Sequence, residues 1–232
     1  MATLPTRGRS SKRDSFERVF SRLRRVPGWL TDPEAKFLFR LARETKSGRV
    51  VELGAYQGRS TIALATGLRC SGHAKAGVKL VTIDTFRGSP EHQRGARYFD
   101  PSVYNPAKKH VDTRPAFDRN LAEFGVTGMV EVWEGEIEAA ASRFHGRVDL
   151  LFVDADHRYE AVRRHLEQWI PKVAAGGIVV LHDVGGWPGP TRAAADLQER
   201  GFRRYDQVDS ALALRCQQGR RPQRTKRHGR SR

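Results

Sequence analysis

Two cysteines in 232 residues, Cys70 and Cys216, are too few and too far apart for a disulfide framework, and no secretory hydrophobic segment follows the start. A reducing cytoplasm is the expected setting. Long apolar runs are missing too, since the Ile178 to Leu181 stretch falls far short of the roughly 20 residues of a membrane helix. No membrane span is expected. The Arg- and Ser-rich, acid-poor start loosely matches a transit peptide, a composition that chance meets cheaply.

Acids are absent from one end. Residues 215–232 hold eight Lys/Arg and no Asp or Glu, a net +8, and residues 1–28 hold eight against two acids, a net +6. Of the formal +16, the body at 29–214 therefore keeps only +2. A fold that grips nucleic acid through its body would usually carry a basic face there, whereas this body is nearly balanced in charge. No Asn/Asp-Pro-Pro-Tyr base-reading motif is present either. The last segment, QQGRRPQRTKRHGRSR, has nothing apolar to bury and repels itself, so a solvated tail is expected, with weak polyanion binding as its sharper reading. Three parts follow: a basic extension at 1–28, a body at 29–214 and a basic tail at 215–232.

With 38% hydrophobic residues the chain can bury a core of ordinary domain size. SFERVFSRLRRV, Ser15 to Val26, spaces Phe16, Val19, Phe20 and Leu23 as a basic amphipathic helix, expected to pack on the domain or on a second copy in a homo-oligomer. A second helix starts at Thr31 or Asp32, where either caps the free N–H groups and Pro33 fits the first turn. Strand and helix then alternate: strands over Arg49–Leu53, Lys79–Ile83, Met129–Trp133, Val148–Val153 and Gly177–Leu181; helices over Arg59–Leu68, Pro115–Phe124, Glu136–Phe144, Tyr159–Val173 and Arg192–Arg200. Phe202–Val208 and Ala211–Arg215, joined by Asp209-Ser210, read as a closing hairpin. The strands are short, apolar and β-branched, as buried parallel strands are. The expected fold is α/β: a Rossmann-like, open, mostly parallel seven-stranded sheet with helices on both faces and a C-terminal β-hairpin. Residues 86–114, rich in Gly, Pro and aromatics but without periodicity, form a lid-like insertion.

In such sheets the ligand sits beyond the carboxyl ends of the strands. The first strand ends in VVELGAYQGRS, where Gly54 permits a sharp turn and Gly58 a close ligand approach. Gly-x-x-x-Gly after an acid is not the Gly-x-Gly-x-x-Gly of dinucleotide binders. VTIDTF puts Asp84 where an acid accepts ribose hydroxyls. LLFVDADHRYE contributes Asp154, Asp156 and His157, and GGIVVLHDV contributes His182 and Asp183, all on neighbouring strands and so expected in one crevice. Asp156 can equally cap the following helix, and His157 can simply pack beside it.

Together, Glu52, Gly54, Asp84, Asp154 and His182-Asp183, with DADHRYEAVRRHLEQWIPKVAAGGIVVLHD between, resemble the class I S-adenosylmethionine-dependent methyltransferases, within them the branch of small-molecule and sugar O-methyltransferases. The resemblance covers about residues 31–214. It implies that Glu52, Gly54 and Gly58, with Ala55, Tyr56 and Ser60 of the same turn, hold the methionine part of the cofactor. It implies that Asp84, with Thr85, holds the ribose, and that the stretch containing Gly135 and Glu136 lies against the adenine; Asp154 is counted with the cofactor site as well. Related enzymes bind Mg²⁺ through positions matching Asp154, His182 and Asp183. Here His182 departs from the usual carboxylate, and imidazole is softer than Mg²⁺ prefers. Two routes for removing the proton of a hydroxyl acceptor follow: an ion on Asp154 and Asp183 that lowers its pKa, or His157 or His182 as the base. The catalytic set is then Asp154, His157, His182 and Asp183, acting on a small-molecule hydroxyl. Tyr98, Phe99, Tyr104, His92 and His110 are candidate acceptor contacts from the lid. The alternative, a nucleic-acid methyltransferase or binder, rests on the basic ends.

Overall fold

The computed structural model of the chain describes residues 17, 19–45, 49–71 and 80–217. Most of both basic ends, including Ser15 and Phe16 and the tail beyond Gln217, lies outside those residues, as does Lys79.

A helix over residues 19–23 (α1) precedes α2, Asp32–Arg43, which begins where expected. The Glu34 N–H donates to the Thr31 hydroxyl at 3.2 Å and the Thr31 N–H donates to Glu34 Oε2 at 2.8 Å, a reciprocal cap that satisfies two N–H groups at once. Alternation then follows as β1 (Val50–Leu53), α3 (Arg59–Ser71), β2 (Leu80–Asp84), a short hairpin β3 (Tyr104–Asn105) and β4 (His110–Val111), α4 (Arg114–Glu123) and β5 (Val130–Glu134). It closes with α5 (Ile137–Arg143), β6 (Val148–Val153), α6 (Tyr159–Trp169), β7 (Val173–Leu181), α7 (Pro188–Glu199), β8 (Arg203–Val208) and β9 (Ala211–Arg215).

Seven strands form one sheet in the order β5-β2-β1-β6-β7-β9-β8. The first five are mutually parallel, and β9 runs antiparallel to both β7 and β8. The Rossmann-like architecture and closing hairpin are thus as expected. The chain winds outward from β1 to β5, then returns to β6 on the other side of β1, so the order reverses between β1 and β6. That reversal opens the crevice in which such sheets hold ligands. Helices α2, α3 and α4 cover one face, where Phe37, Leu38, Ile62, Leu64 and Phe117 are buried; α5, α6 and α7 cover the other with Ile137, Leu166, Trp169 and Leu197.

Two expectations needed correction. The sixth helix does not reach Val173: it ends at Trp169, a 3-10 turn spans Ile170–Lys172, and Val173 already pairs with Val148, so β7 starts four residues before Gly177. Pro171 explains the change, because it lacks the N–H that another α-turn would need. Helix α7 begins at Pro188 rather than near Arg192, with prolines in its first turn, where the missing N–H costs nothing. Phe20, Leu23 and Val26 lie in the core with the residues of α2 and α3, so the described helix of the basic extension packs on the domain. Among the described residues, no helix is long and apolar enough to cross a membrane.

Leu23 is fully buried, so its side chain contributes stability of the order of 1.5–3 kcal/mol through burial alone. Leu23→Ala should therefore lower the unfolding free energy by about 2–5 kcal/mol in urea melts, cavity included. A change below about 0.5 kcal/mol would show that α1 is an appendage rather than part of the core.

Candidate active site

Gly54 determines how the strand ends meet. At φ +90° it turns the chain out of β1 against β6, and a Cβ there would lie 2.1 Å from the Asp154 carbonyl oxygen. Only glycine supports both the conformation and the approach. The turn is held from the other side by Asp84 at the end of β2: Oδ2 accepts the Ala55 and Tyr56 N–H groups at 2.6 and 2.9 Å, and Oδ1 accepts the Phe86 N–H at 2.7 Å. Burial pushes this carboxyl above its usual pKa despite those three donors. Oδ1 accepts one bond from the protein and keeps a lone pair for a ligand hydroxyl.

Two cavities adjoin over these strand ends. The larger, about 350 Å³, is lined by Asp84, Thr85, Glu136, Ile137, Asp156 and His165, among others. The smaller, about 150 Å³, is lined by Trp29, Arg59, Tyr98, His157, Asp183 and Trp187, among others. Gly54, Ala55, Tyr56, His92, Asp154 and Ala155 face both, so whatever occupies one touches the wall of the other. Aromatic rings enclose the smaller space: Trp29 stacks on His92 at 4.9 Å and meets Tyr98 at 5.4 Å, and Trp187 stacks on His157 at 4.4 Å.

At the floor of the smaller cavity, carboxylates and imidazoles alternate. His157 Nδ1 meets Glu91 Oε1 at 2.5 Å and its Nε2 meets Asp183 Oδ2 at 2.8 Å. His182 Nδ1 lies 3.1 Å from Asp183 Oδ2 and 3.3 Å from Asp154 Oδ1, and its Nε2 is 3.1 Å from Glu34 Oε2. Burial opposes charge on His157, but Asp183 and Glu91 overcome it and push its pKa up to about 10. His182 is likewise driven well above the usual range, against burial, by Asp154, Asp183 and Glu34. Burial would raise Glu34 and Glu91; the partner imidazoles prevail and hold both at about 2. Four carboxyl groups thus face two imidazoles, a surplus of acid that attracts cations.

The predicted residues fall into three groups. Gly54, Ala55, Tyr56, Asp84, Thr85, Glu136 and Asp154 line the larger cavity, and Ser60, His157, His182 and Asp183 join the shared wall around the smaller. Gly135 lines neither; its N–H donates to the Asp84 carbonyl at 2.9 Å and steadies the strand end. Glu52 and Gly58 depart from expectation. Glu52 is fully buried beneath the turn, where it accepts the hydroxyls of Ser60, Thr61 and Thr82 at 2.5, 2.6 and 2.8 Å, so no ligand reaches it. Gly58 faces α4, where a Cβ would lie 2.9 Å from Leu121 and 3.1 Å from Phe117, so its bareness serves helix packing rather than ligand approach. From the insertion, His92 and Tyr98 reach the cavity, whereas Phe99 and Tyr104 pack on each other and His110 bonds the Val111 carbonyl. Sequence reasoning missed Glu34, Glu91, Trp29, Arg59 and Trp187. For Glu34 the capping spacing from Thr31 was the visible signal, and it disclosed only half of the residue's work.

A family described as a methyltransferase domain matches residues 51–184, more than half of the chain. The chain belongs to this methyltransferase family. Its fold is similar to that of the O-methyltransferase NovP (TM-score 0.64, 16% identity, 82% of this chain and 84% of that one). It is similar as well to the methyltransferase PaMTH1 of Podospora anserina with bound SAH (0.61, 16%, 94% and 99%). TomG, the Streptomyces achromogenes O-methyltransferase of tomaymycin synthesis in complex with SAM, is a third such fold (0.57, 20%, 89% and 90%). A curated Sinorhizobium fredii protein, the uncharacterized y4gI, is 26% identical over 143 residues; the match takes in 62% of this chain but only 14% of that longer protein.

Burial outweighs the three hydroxyl donors on Glu52 and pushes its pKa up to about 7. A raised carboxyl is protonated in the fold where the unfolded chain has already ionised, so stability falls as pH rises from about 4.5 to 7 and stays lowered above. Glu52→Gln cannot ionise. Its stability relative to wild type should rise across that window, by at most roughly 3 kcal/mol, in urea melts at pH 5, 6 and 8. Parallel pH profiles would mean that Glu52 stays ionised in place.

Proposed function

We propose that this methyltransferase uses S-adenosylmethionine and transfers its methyl group to a hydroxyl of a small molecule. One observation carries the reading: a cavity with a free acceptor on Asp84 adjoins, across Gly54, Tyr56 and Asp154, an aromatic-walled cavity floored by titratable groups. In this reading the larger space takes the nucleoside and the smaller takes the acceptor. That the structural relatives include O-methyltransferases supports the choice of oxygen.

S-adenosylmethionine, once bound, supplies an electrophilic methyl group, and a divalent ion would supply Lewis acidity. The chain's own work is to hold donor and acceptor in line and to take a proton from the acceptor. Asp84 and Thr85 hold the ribose, Gly54 to Tyr56 cradle the methionine side, and Glu136 lies by the base. Trp29, Tyr98 and Trp187 exclude water and orient the acceptor. Asp154, His182 and Asp183 fit a cation: one ligand atom from each lies within 4.8 Å of the others, and the cluster has carboxyl groups to spare. His182 Nδ1 would exchange its proton for the ion while Nε2–H stays on Glu34, the usual second bond of a metal-binding imidazole. This N,O,O set suits Mn²⁺ at least as well as Mg²⁺. Without an ion, His157 is protonated at neutral pH and already donates to Asp183, so it is a poor base until the pH approaches 10. The metal route is therefore the better one. Both cysteines, Cys70 and Cys216, are free, which suits a reducing, cytoplasmic setting. The nucleic-acid reading draws nothing from the chemistry of these cavities, whose charged lining is mainly acidic and imidazole.

S-adenosylhomocysteine should bind and raise the melting temperature. Asp84→Ala should weaken that binding at least about tenfold by calorimetry, at a temperature where circular dichroism shows the variant folded. Unchanged affinity would take Asp84 out of the site.

Asp183 lines only the smaller cavity, so Asp183→Asn should leave that affinity nearly intact while lowering turnover on a hydroxylated acceptor by roughly 10². EDTA should act likewise, and Mn²⁺ should restore the wild type alone. Turnover indifferent to both would remove the cluster from the chemistry.

A further inference from the structure

The smaller cavity has largely apolar walls and a polar floor. Pro27, Trp29, Leu30, Tyr56, Tyr98 and Trp187 form the walls, and Trp29, 50% exposed, stands at the mouth. Ser60 and Arg59, which also line the space, are already engaged: the Ser60 hydroxyl donates to Glu52 at 2.5 Å, and Arg59 Nη2 donates to Asp32 Oδ1 at 3.1 Å. Among the described residues Arg59 is the one Lys or Arg that lines this cavity, and Asp32 answers its charge, so no free cation there awaits an anionic group. The other charged groups gather at the floor, where Glu91, Asp154 and Asp183 meet His157 and His182.

Those surroundings sort the molecules that carry a hydroxyl. A sugar has hydroxyls around its whole rim, and each one turned to an apolar wall loses water without gaining a partner, a loss of about tenfold in affinity apiece. An aromatic ring presents two apolar faces and keeps its hydroxyl on one edge, and rings attract one another beyond the area they bury. The volume, about 150 Å³, suits a single ring, since a dry cavity of roughly that size takes up benzene. A carboxylate or phosphate on the acceptor would meet the surplus of acid at the floor.

Resting on the reading of the smaller cavity as the acceptor site, we propose that the acceptor is an uncharged phenol. Its one aromatic ring lies between the apolar walls, its hydroxyl meets the floor beside Asp154 and Asp183, and any larger remainder of the molecule leaves by the mouth at Trp29. The phenol oxygen bonds the methyl carbon as the bond from that carbon to sulfur breaks, and sulfur keeps the electron pair. The phenol proton passes to water. The products are an aryl methyl ether and S-adenosylhomocysteine.

The test takes the full chain saturated with S-adenosylhomocysteine and measures, by ligand-observed NMR, the binding of 4-methylphenol, 4-hydroxybenzoate and methyl β-glucoside. The methylphenol should bind about tenfold or more tightly than either of the others. Trp29→Ala should weaken its binding about tenfold and leave the affinity for S-adenosylhomocysteine unchanged, because Trp29 lines the smaller cavity and not the larger. The order of the three probes on wild type decides the matter even if that variant does not fold. A glucoside or benzoate that matches the methylphenol, no detectable binding of the methylphenol, or its unchanged affinity in folded Trp29→Ala overturns the assignment while leaving the cofactor site standing. Failure of S-adenosylhomocysteine itself to bind defeats the reading of the two cavities, and this proposal with it.

Discussion

The backbone contact between Gly54 and the Asp154 carbonyl is the constraint on which the other features depend. It brings the ends of β1 and β6 together where the strand order reverses, and so joins two cavities through a wall one residue thick. In the proposed reading the methyl group passes between donor and acceptor over a single bond-making distance, which is what a shared wall between the two spaces permits. Asp84 secures that geometry from β2 with three accepted N–H bonds, and Glu52 secures it from below with three hydroxyls. Two acids with similar positions at strand ends thus do different things. One keeps a lone pair for a ligand, and the other is sealed into the scaffold.

Burying charge beside that wall is costly unless it is paired, and the alternating chain Glu34, His182, Asp183, His157, Glu91 supplies the pairing. The chain also stitches distant segments together. Glu34 belongs to α2, Glu91 to the insertion, His157 to the loop after β6, and His182 and Asp183 to the end of β7. Glu34 alone caps its helix, accepts the Ser210 N–H and hydroxyl at 2.9 and 2.8 Å in the closing hairpin, and faces His182. The segments that enclose the smaller cavity are therefore pinned to the groups at its floor.

Much of this was legible in the sequence because strand ends are marked locally. An apolar run followed by Gly, Asp or His-Asp exposes its terminal residues wherever the sheet forms, so Gly54, Asp84, Asp154 and His182-Asp183 could be placed in one crevice. What could not be read depends on contacts distant in sequence. Glu91 gains its role only when the insertion folds back on His157, 66 positions away. Trp29 and Trp187 come from opposite ends of the body and meet over one cavity. Glu52 and Gly58 misled for the same reason: motif position says that a residue is near a turn, not which side of it the side chain occupies. Helix ends were least legible where proline decides them, as at Pro171 and Pro188.

His182 shows why the departure from a carboxylate is coherent rather than degenerate. A third acid in its place would sit against Asp154, Asp183 and Glu34, four carboxylates around one point, and their repulsion would have to be relieved by protonation or by a tightly held ion. Imidazole accepts three of those neighbours as partners and stabilises the cluster whether or not a cation is present. In the proposed metal reading it would give up some affinity for a hard ion, since a proton would have to leave Nδ1 first. Glu34 lowers that barrier by keeping Nε2–H in place, which leaves Nδ1 as the nitrogen that turns toward Asp154 and Asp183. The imidazole of His182 and the buried Glu34 behind it therefore work as a unit, and each explains why the other is tolerated there.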